Sequence, residues 1–387
     1  MHKPDAPAGV PGYRIEPLPD PESVGEDEEL VAALRDEIGR DGPITFAWFM
    51  ARALYEPGHG YYRRAEPAPG RGGDFITAPE AHPIFGAALG RLVAQIWGAL
   101  GRPDELTVTE PGAGTGALAA GLLAGLRDDR SPLLAAIRYR PVEVEPARLE
   151  TLRARLAAQG LDGLLTDEVP LEPSAEVGVV IANEVLDALP VHRVVGRPTG
   201  LRELLVGLDP DGRFTGVEAA PSTQELAARL EREGVALADG QITEICLAVD
   251  GWLAGAVRHL ARGVVVLIDY AAEPTVLHGP AHPTGTLRAF ARHAVGADPF
   301  RQGDACTAGV RIDTPGLADE AEQLSSNAFM DVAVEKGGLK VGFMLAGWLR
   351  QGHSSSSVAV GPFSWAESMS CHSVTNWWQP RSQKTPT

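Results

Sequence analysis

Three glycines at every second position, Gly112, Gly114 and Gly116 in the run EPGAGTG, are the first residues whose type and spacing point to chemistry. Glycine lets a backbone approach a ligand closely and adopt conformations closed to other residues. The segment TGALAAGLLAGLR that follows reads as a helix, whose first N–H groups are free to meet a ligand. A phosphate, a dinucleotide and S-adenosylmethionine are the occupants to weigh. A phosphate-binding Walker loop ends in Gly-Lys-Ser/Thr, and this stretch has no lysine, so that option falls. Dinucleotide spacing can be laid over Gly112, Gly114 and Ala117 and survives on spacing alone. The next expected strand, YRPVEVE, ends with Glu143 and Glu145, either of which can offer a carboxylate to both ribose hydroxyls of a nucleoside. NAD enzymes use the same device, so this acid does not choose between cofactors. Glu145 precedes Pro146 and suits a capping acid at a helix start, which leaves Glu143 as the ribose residue.

A further group, Asn183, Glu184 and Asp187, follows VGVVIAN, a continuous apolar run that reads as a strand buried on both faces. That position is the carboxyl edge, where open sheets bind ligands. Glu184 and Asp187, three apart on a short turn, are expected to face one pocket; for Asp187 the alternative is a cap on the turn. His192 and His293 are candidate bases, though single histidines are more often structural. Tyr61 and Tyr62 can wall a pocket, and packing explains at least one of them. The sequence holds no metalloprotease, serine-hydrolase or calcium-loop motif.

The chain that must position these residues has 387 of them, 44% hydrophobic, enough for a substantial core. Thirty-four basic against fifty-one acidic residues give a net charge of −17, which repels nucleic-acid phosphate and anionic lipid and favours a cationic substrate. Neither nucleic acid nor membrane is therefore an expected partner. The three cysteines, Cys246, Cys306 and Cys371, are scattered and fit a reducing compartment. The N-terminal stretch resembles neither a secretory signal nor a transit peptide, and no run has the ~20 apolar residues of a membrane span. The expectation is a soluble cytoplasmic protein.

Residues 1–25 read as a flexible arm and 26–103 as a helical cap, with helices over Asp27 to Ile38, Ile44 to Leu54 and Pro83 to Leu100. The last carries an apolar stripe at Ile84, Ala88, Leu92 and Ile96. From residue 104 to 350 strands and helices alternate: LTVTE, TGALAAGLLAGLR, YRPVEVE, PARLETLRARLAAQ, VGVVIANE, a long helical pattern ITEICLAVDGWLAGAVRHLARG, and GVVVLIDYA. This predicts an α/β doubly wound, Rossmann-like sheet. Asp209-Pro210-Asp211-Gly212 marks an inserted hairpin at about 190–220. Residues 351–387 form an atypical tail: from His353 on there are nine serines, three charged residues and no period.

Glu110 stands at the end of LTVTE, and E-x-G-x-G-x-G resembles the first motif of class I methyltransferases. In that motif the region lies against the methionine portion of S-adenosylmethionine, whose ammonium suits a nearby carboxylate. A wider resemblance is to the MidA family of S-adenosylmethionine-dependent methyltransferases, bacterial relatives of a mitochondrial complex I assembly factor that methylates a protein arginine. It rests on ALYEPGHGYY, GDFITAPE, the glycine turn, NEVLDALPVHR and GTLRAFARH in family order, over roughly residues 40 to 310. The family's later D-x-T-x-H-V element stands here as Ala305 to Val310 without its acid and histidine.

The resemblance implies a class I methyltransferase fold, S-adenosyl-L-methionine as cofactor, a loop bearing Asp74, Phe75 and Thr77 that closes over it, and an arginine guanidinium of a protein as substrate. Glu184 is then the first choice for the carboxylate that clamps the cation and accepts its proton, with Asp187 and Asn183 beside it. Arg288 in GTLRAF is left without a role. Competing expectations are a small-molecule N- or O-methyltransferase, which the altered 305–313 element favours, and a non-catalytic assembly chaperone. An NAD-dependent dehydrogenase fits least, and oligomeric state is not legible.

Overall fold

The computed structural model describes residues 27–64, 74–169, 176–272, 274–291, 294–296 and 299–300, and the backbone of strands 312–313, 329–336, 339–349 and 361–362. The expected arm, His293, the 305–310 element and nearly all of the tail lie outside the described residues.

The central sheet grows from apolar runs. Strands β1 (Leu106–Pro111), β2 (Ile137–Val142), β3 (Glu176–Asn183) and β8 (Leu260–Asp269) lie parallel in the order β8-β3-β1-β2. Beyond β8 the strand Leu339–Leu349 pairs antiparallel, followed by Phe329–Lys336 and Gly361–Pro362, which completes seven strands. Side chains alternate across a strand, so an all-apolar strand needs cover on both faces. Val179 and Ile181 of β3 and Val266 and Ile268 of β8 point into one core, under helices α4 (Ile84–Ala99), α5 (Ala117–Asp128) and α6 (Pro146–Ala157). Val180, Ala182, Val265 and Leu267 point into the other, against Val249 and Leu253 of α8 (Ala248–Val257). This is the doubly wound α/β sheet that the alternating pattern predicts.

Two elements differ from the sequence reading. The buried face of α4 is Gly86, Leu89, Gly90, Val93, Ile96 and Trp97, while Ile84 is 58% exposed and Ala88 lies in solvent. The expected stripe followed hydrophobicity, whereas the contact is set by close approach of backbones. A Cβ on Gly86 would fall 2.8 Å from the Gly121 backbone of α5, and one on Gly90 the same distance from the Leu122 carbonyl oxygen. The segment 242–263 is no single helix either. It splits into strand β7 (Ile242–Ile245), helix α8 and the start of β8. Apolar β-branched residues in a short run satisfy either period, and pairing at long range decided for the strand.

That pairing builds a second sheet. β4 (His192–Arg197), β5 (Gly200–Leu208), β6 (Phe214–Ala219) and β7 run antiparallel in the order β6-β5-β4-β7. The expected hairpin is its β5–β6 corner, closed where Asp209 N–H donates to Arg213 O at 2.8 Å and Gly212 takes φ 76°. On one face lie the amino-terminal helices α1 (Glu28–Asp41) and α2 (Phe46–Tyr55), with Leu34, Phe46, Phe49 and Leu54 packed near Val191 and Val206. Helix α7 (Glu225–Arg232) covers the other through Leu226 and Leu230. Asp27 and Thr45 cap α1 and α2, accepting the N–H of Leu30 at 3.0 Å and Trp48 at 3.1 Å.

Candidate active site

The glycine turn joins β1 to α5 with Gly112, Gly114 and Gly116 all left-handed, at φ 69°, 52° and 81°. Two of the three are crowded by protein. A Cβ on Gly112 would stand 3.0 Å from Val185 Cγ2, and one on Gly116 would stand 2.5 Å from Leu152 Cγ. At Gly114 nothing lies within 4 Å of that point. The tip of the turn therefore faces space, as a backbone meant for a ligand would.

Strand β2 stops at Val142, one residue before the expected acids, because the Glu143 carboxylate takes up the local backbone. Its Oε2 accepts Gly114 N–H at 2.8 Å, and Oε1 accepts the N–H of Val144 at 2.8 Å and of Glu145 at 3.1 Å. Arg148 Nη1 lies 4.0 Å from the same Oε1, both side chains being buried. The carboxylate is thus aimed at the glycine turn with acceptor capacity left over. Glu145 instead accepts Ala147 N–H at 3.3 Å as the N-cap of α6. Glu110 sits beneath the turn, 4% exposed, where Tyr139 Oη donates to its Oε2 at 2.7 Å. Burial, which disfavours the charged form, pushes its pKa up to about 8 despite that hydrogen bond.

The loop holding Asp74, Phe75 and Thr77 lies against this turn. Thr77 starts α3 (Ala78–Ala81), and Glu80 Oε1 in that helix accepts the Thr115 hydroxyl at 2.9 Å. Phe75 stacks on Tyr61 with centroids 6.3 Å apart. The buried Asp74 carboxylate faces the Tyr61 phenol, whose pKa rises through burial first and Asp74 next. Gly58 at φ 81° and Gly60, whose Cβ would strike Glu56 N at 2.5 Å, fold EPGHGYY back on α2. Tyr62 then stacks on Tyr55 at 5.6 Å, and Tyr55 Oη donates to Ala188 O at 2.9 Å. Tyr55 and Tyr62 are both raised by burial and then by acidic or aromatic neighbours that include Asp187. The tyrosines therefore stand beside the acidic turn as well as packing the core.

Asn183, Glu184 and Asp187 come together at the carboxyl end of β3. Glu184 is one of three non-glycine residues with positive φ among those described, at 51°. Its N–H is fixed to Ile268 O at 2.8 Å. The carboxyl faces the N–H of Ala78 and, at 3.5 Å, the amide nitrogen of Asn183. Its pKa is pushed up to about 7, by burial first and by Asp269 next. Asp187 is raised well above the ordinary range by burial, Asp269 and Glu184 in that order. Among the described residues neither carboxyl has a cationic partner, and the buried Asn183 Oδ1 has no hydrogen-bond donor.

Sequence reasoning passed over Asp269, the last residue of β8. It is 5% exposed, accepts Leu186 N–H at 2.8 Å, and has its pKa pushed up to about 6 by burial. The only signal for it was an acid closing the apolar run GVVVLID. His192 pairs through Nδ1 with the fully buried Glu203 at 2.7 Å, a structural contact on the second sheet. Arg288 donates to the adjacent Leu287 carbonyl at 2.7 Å.

The sequence profile of an S-adenosyl-L-methionine-dependent methyltransferase family matches residues 88–308. The mouse (Mus musculus) mitochondrial protein arginine methyltransferase NDUFAF7 is 28% identical over 305 residues, covering 69% of this chain and 65% of the mouse protein. Its Danio rerio counterpart is 27% identical over 317 residues, covering 76% and 69%. The chain thus spans about two thirds of the length of these relatives, slightly less for the mouse protein. A superfamily member from Burkholderia thailandensis, crystallised with S-adenosyl-homocysteine, is 33% identical, with a TM-score of 0.71 over 82% of this chain and 81% of that one.

Proposed function

This chain belongs to the MidA-type S-adenosyl-L-methionine-dependent methyltransferase family, and on that premise we propose that it methylates an arginine guanidinium of a protein partner. One observation carries the proposal. Glu184 and Asp187 lie together at the carboxyl edge of the sheet, poorly solvated and without a cation among the described residues. Two such carboxyls gain most from a cation that supplies both charge and several N–H donors, as guanidinium does. Asn183 Oδ1 adds an acceptor that awaits a donor.

The residues present fit the cofactor. In this reading Gly112 and Gly116 make the left-handed bends of the turn that meets the cofactor and Gly114 leaves room for it at the tip, Glu143 accepts the ribose hydroxyls, and Glu110 serves the ammonium. Asp74, Phe75 and Thr77 belong to the loop that covers it, which the Glu80–Thr115 hydrogen bond ties to the turn. S-adenosylmethionine supplies a methyl group on a sulfonium, an electrophile whose leaving group needs no acid. The chain's own work is to align the nucleophile and receive a proton. A free guanidinium holds its proton far above neutrality. As the N–C bond formed and the methyl–sulfur bond broke, leaving neutral S-adenosyl-homocysteine, that nitrogen would become acidic and a Glu184 carboxylate oxygen would take its proton. A carboxyl with a pKa near 7 is a better acceptor than an ordinary one.

Domain limits at about 25, 103 and 350 and a cytoplasmic setting are part of the same reading. Among the described residues no helix is long and apolar enough to cross a membrane. The curated relatives cited above are named mitochondrial. A second reading, a small-molecule N- or O-methyltransferase, is favoured by Ala305 to Val310, which lack the family's acid and histidine. Incubation with methyl-labelled cofactor and a peptide library with fixed arginine, read by mass spectrometry, separates the two. Methylarginine is expected. Label on small acceptors alone favours the second reading, and cofactor binding without any transfer favours an assembly role.

A further inference from the structure

We propose that Asp269 is a positioning residue: through the backbone of the turn that carries them, it holds Glu184 and Asp187 for the cationic substrate. The inference rests on the function proposed above, and its geometry is local. Asp269 Oδ2 accepts three consecutive N–H groups, from Val185 at 3.1 Å, Leu186 at 2.8 Å and Asp187 at 3.4 Å. Oδ1 accepts the N–H of Tyr270 at 2.8 Å. These are the N–H groups of Val185 and of the start of the short helical turn Leu186–Ala188 that it caps; they have no partner within the turn and together make a small anion-binding concavity. Glu184, at φ 51°, leads into this turn, and a side chain in that conformation persists only where its surroundings fix it. The Glu184 N–H bond to Ile268 O, one residue before Asp269, fixes the other end.

The anion held in this concavity is also a charge beside two working carboxyls. The groups facing them are Asp269 from β8, Asn183 from β3, the Ala78 N–H from α3, and Tyr55 and Tyr62 from α2 and the turn after it. Arg148 of α6 acts on Tyr62, and Glu143 on Tyr55. Asp269 is the neighbour that raises both Glu184 and Asp187, second only to burial. One residue thus holds the turn that carries the pair and adds to the effect of burial on its ionisation.

The test uses the full chain with S-adenosyl-homocysteine bound. Carboxyl ¹³C resonances follow Glu184 through a pH titration, assigned by their loss in Glu184→Gln. Calorimetry with arginine amide as the probe cation reports the site. Asp269→Asn still offers an oxygen to the three N–H groups but removes the charge, so the Glu184 midpoint should fall by about one pH unit. Asp269→Ala removes the acceptor and should weaken arginine amide at least tenfold while S-adenosyl-homocysteine still binds. An unmoved midpoint in Asp269→Asn, or undiminished probe affinity in Asp269→Ala, overturns the inference. So does equal loss of the homocysteine ligand in Asp269→Ala, which would make the residue a general support. Should the alanine variant not fold, Asp269→Glu shifts the carboxylate by one methylene and should show the same selective loss. If the unaltered protein fails to bind arginine amide, the guanidinium reading fails, and the midpoint in Asp269→Asn still judges Asp269.

Discussion

Replacing Glu184 by glutamine should make the protein more stable and less active at once, and the two effects have one cause. The carboxyl has a pKa of about 7 in the fold against 4.5 for the ordinary group. Below pH 4.5 it is protonated in both folded and unfolded chains and contributes no difference. Between 4.5 and 7 the unfolded chain releases its proton first, so stability falls as pH rises. Above 7 the whole penalty is present, about 3 kcal/mol at roughly 1.4 kcal/mol per tenfold. Glutamine keeps the shape and an oxygen for the Ala78 N–H, and it cannot ionise. Glu184→Gln should therefore be more stable than the unaltered protein at pH 8 by about 1–3 kcal/mol, the lower end allowing for relaxation around the charge. The gain should shrink on acidification and vanish near pH 4.5.

Activity should move the other way. Removing a charge that acts on the developing transition state costs on the order of 100-fold or more in turnover, with cofactor affinity nearly unchanged. The assays are urea unfolding at pH 8 and pH 5, and single-turnover methyl transfer to an arginine peptide acceptor. A cap residue would behave in the opposite sense, losing stability at every pH with no specific loss of rate. Lower stability at pH 8 would refute the burial argument. Turnover equal to that of the unaltered protein would refute the catalytic assignment and make Asp187 the next candidate.

Gly114→Val should abolish S-adenosylmethionine binding in calorimetry while the chain stays folded, because its side chain enters the space at the tip of the turn, where no protein atom lies within 4 Å. Unchanged affinity would remove the turn from the site. Glu143→Ala should weaken S-adenosylmethionine and S-adenosyl-homocysteine alike by about 1.5–3 kcal/mol. Glu145→Ala should instead lower stability by about 1 kcal/mol through loss of the α6 cap, and a calorimetric result in the reverse order would exchange the two roles. Glu110→Gln should leave stability unchanged near pH 4 and raise it at pH 9, since a carboxyl with a pKa of about 8 is penalised when ionised. Equal unfolding midpoints at pH 9 would show that Glu110 is not buried in the way its Tyr139 contact implies.

What the sequence disclosed about this molecule follows from how locally each feature is encoded. The strand, three glycines and helix occupy adjacent residues, and the apolar run before Asn183 marks a strand buried on both faces. The second sheet was visible only at its β5–β6 corner, where Asp209 and Gly212 make the turn. Its other strands are short, and β4 pairs with β7 across some fifty residues that carry no trace of the register, His192 facing Ile245. Helix α4 was placed correctly but rotated. Glycine has no hydrophobic weight, yet Gly86 and Gly90 are where the helix meets α5. Asp269 was illegible for a related reason, since its partners Val185 to Asp187 lie more than eighty residues away and use only backbone N–H groups.

The acidic edge also explains why this site is the costly part of the fold. Three carboxyls, Glu184, Asp187 and Asp269, are all raised by burial, the first two also by the charge of Asp269, and Glu184 is held in a left-handed backbone. A fold optimised for stability alone would neutralise or expose such a group. Here the penalty is offset by interactions elsewhere, chiefly the two apolar cores that fix the ends of β3 and β8 from opposite faces. Because both strands end at the same level, residues 183–187 and Asp269 meet across a single parallel pair, Asn183 facing Ile268. A cation entering this edge would relieve repulsion already stored there, so substrate binding and ionisation of the pair should reinforce each other. The same argument makes neutral acceptors poor ligands for the site: they would leave the carboxyls both buried and unpaired.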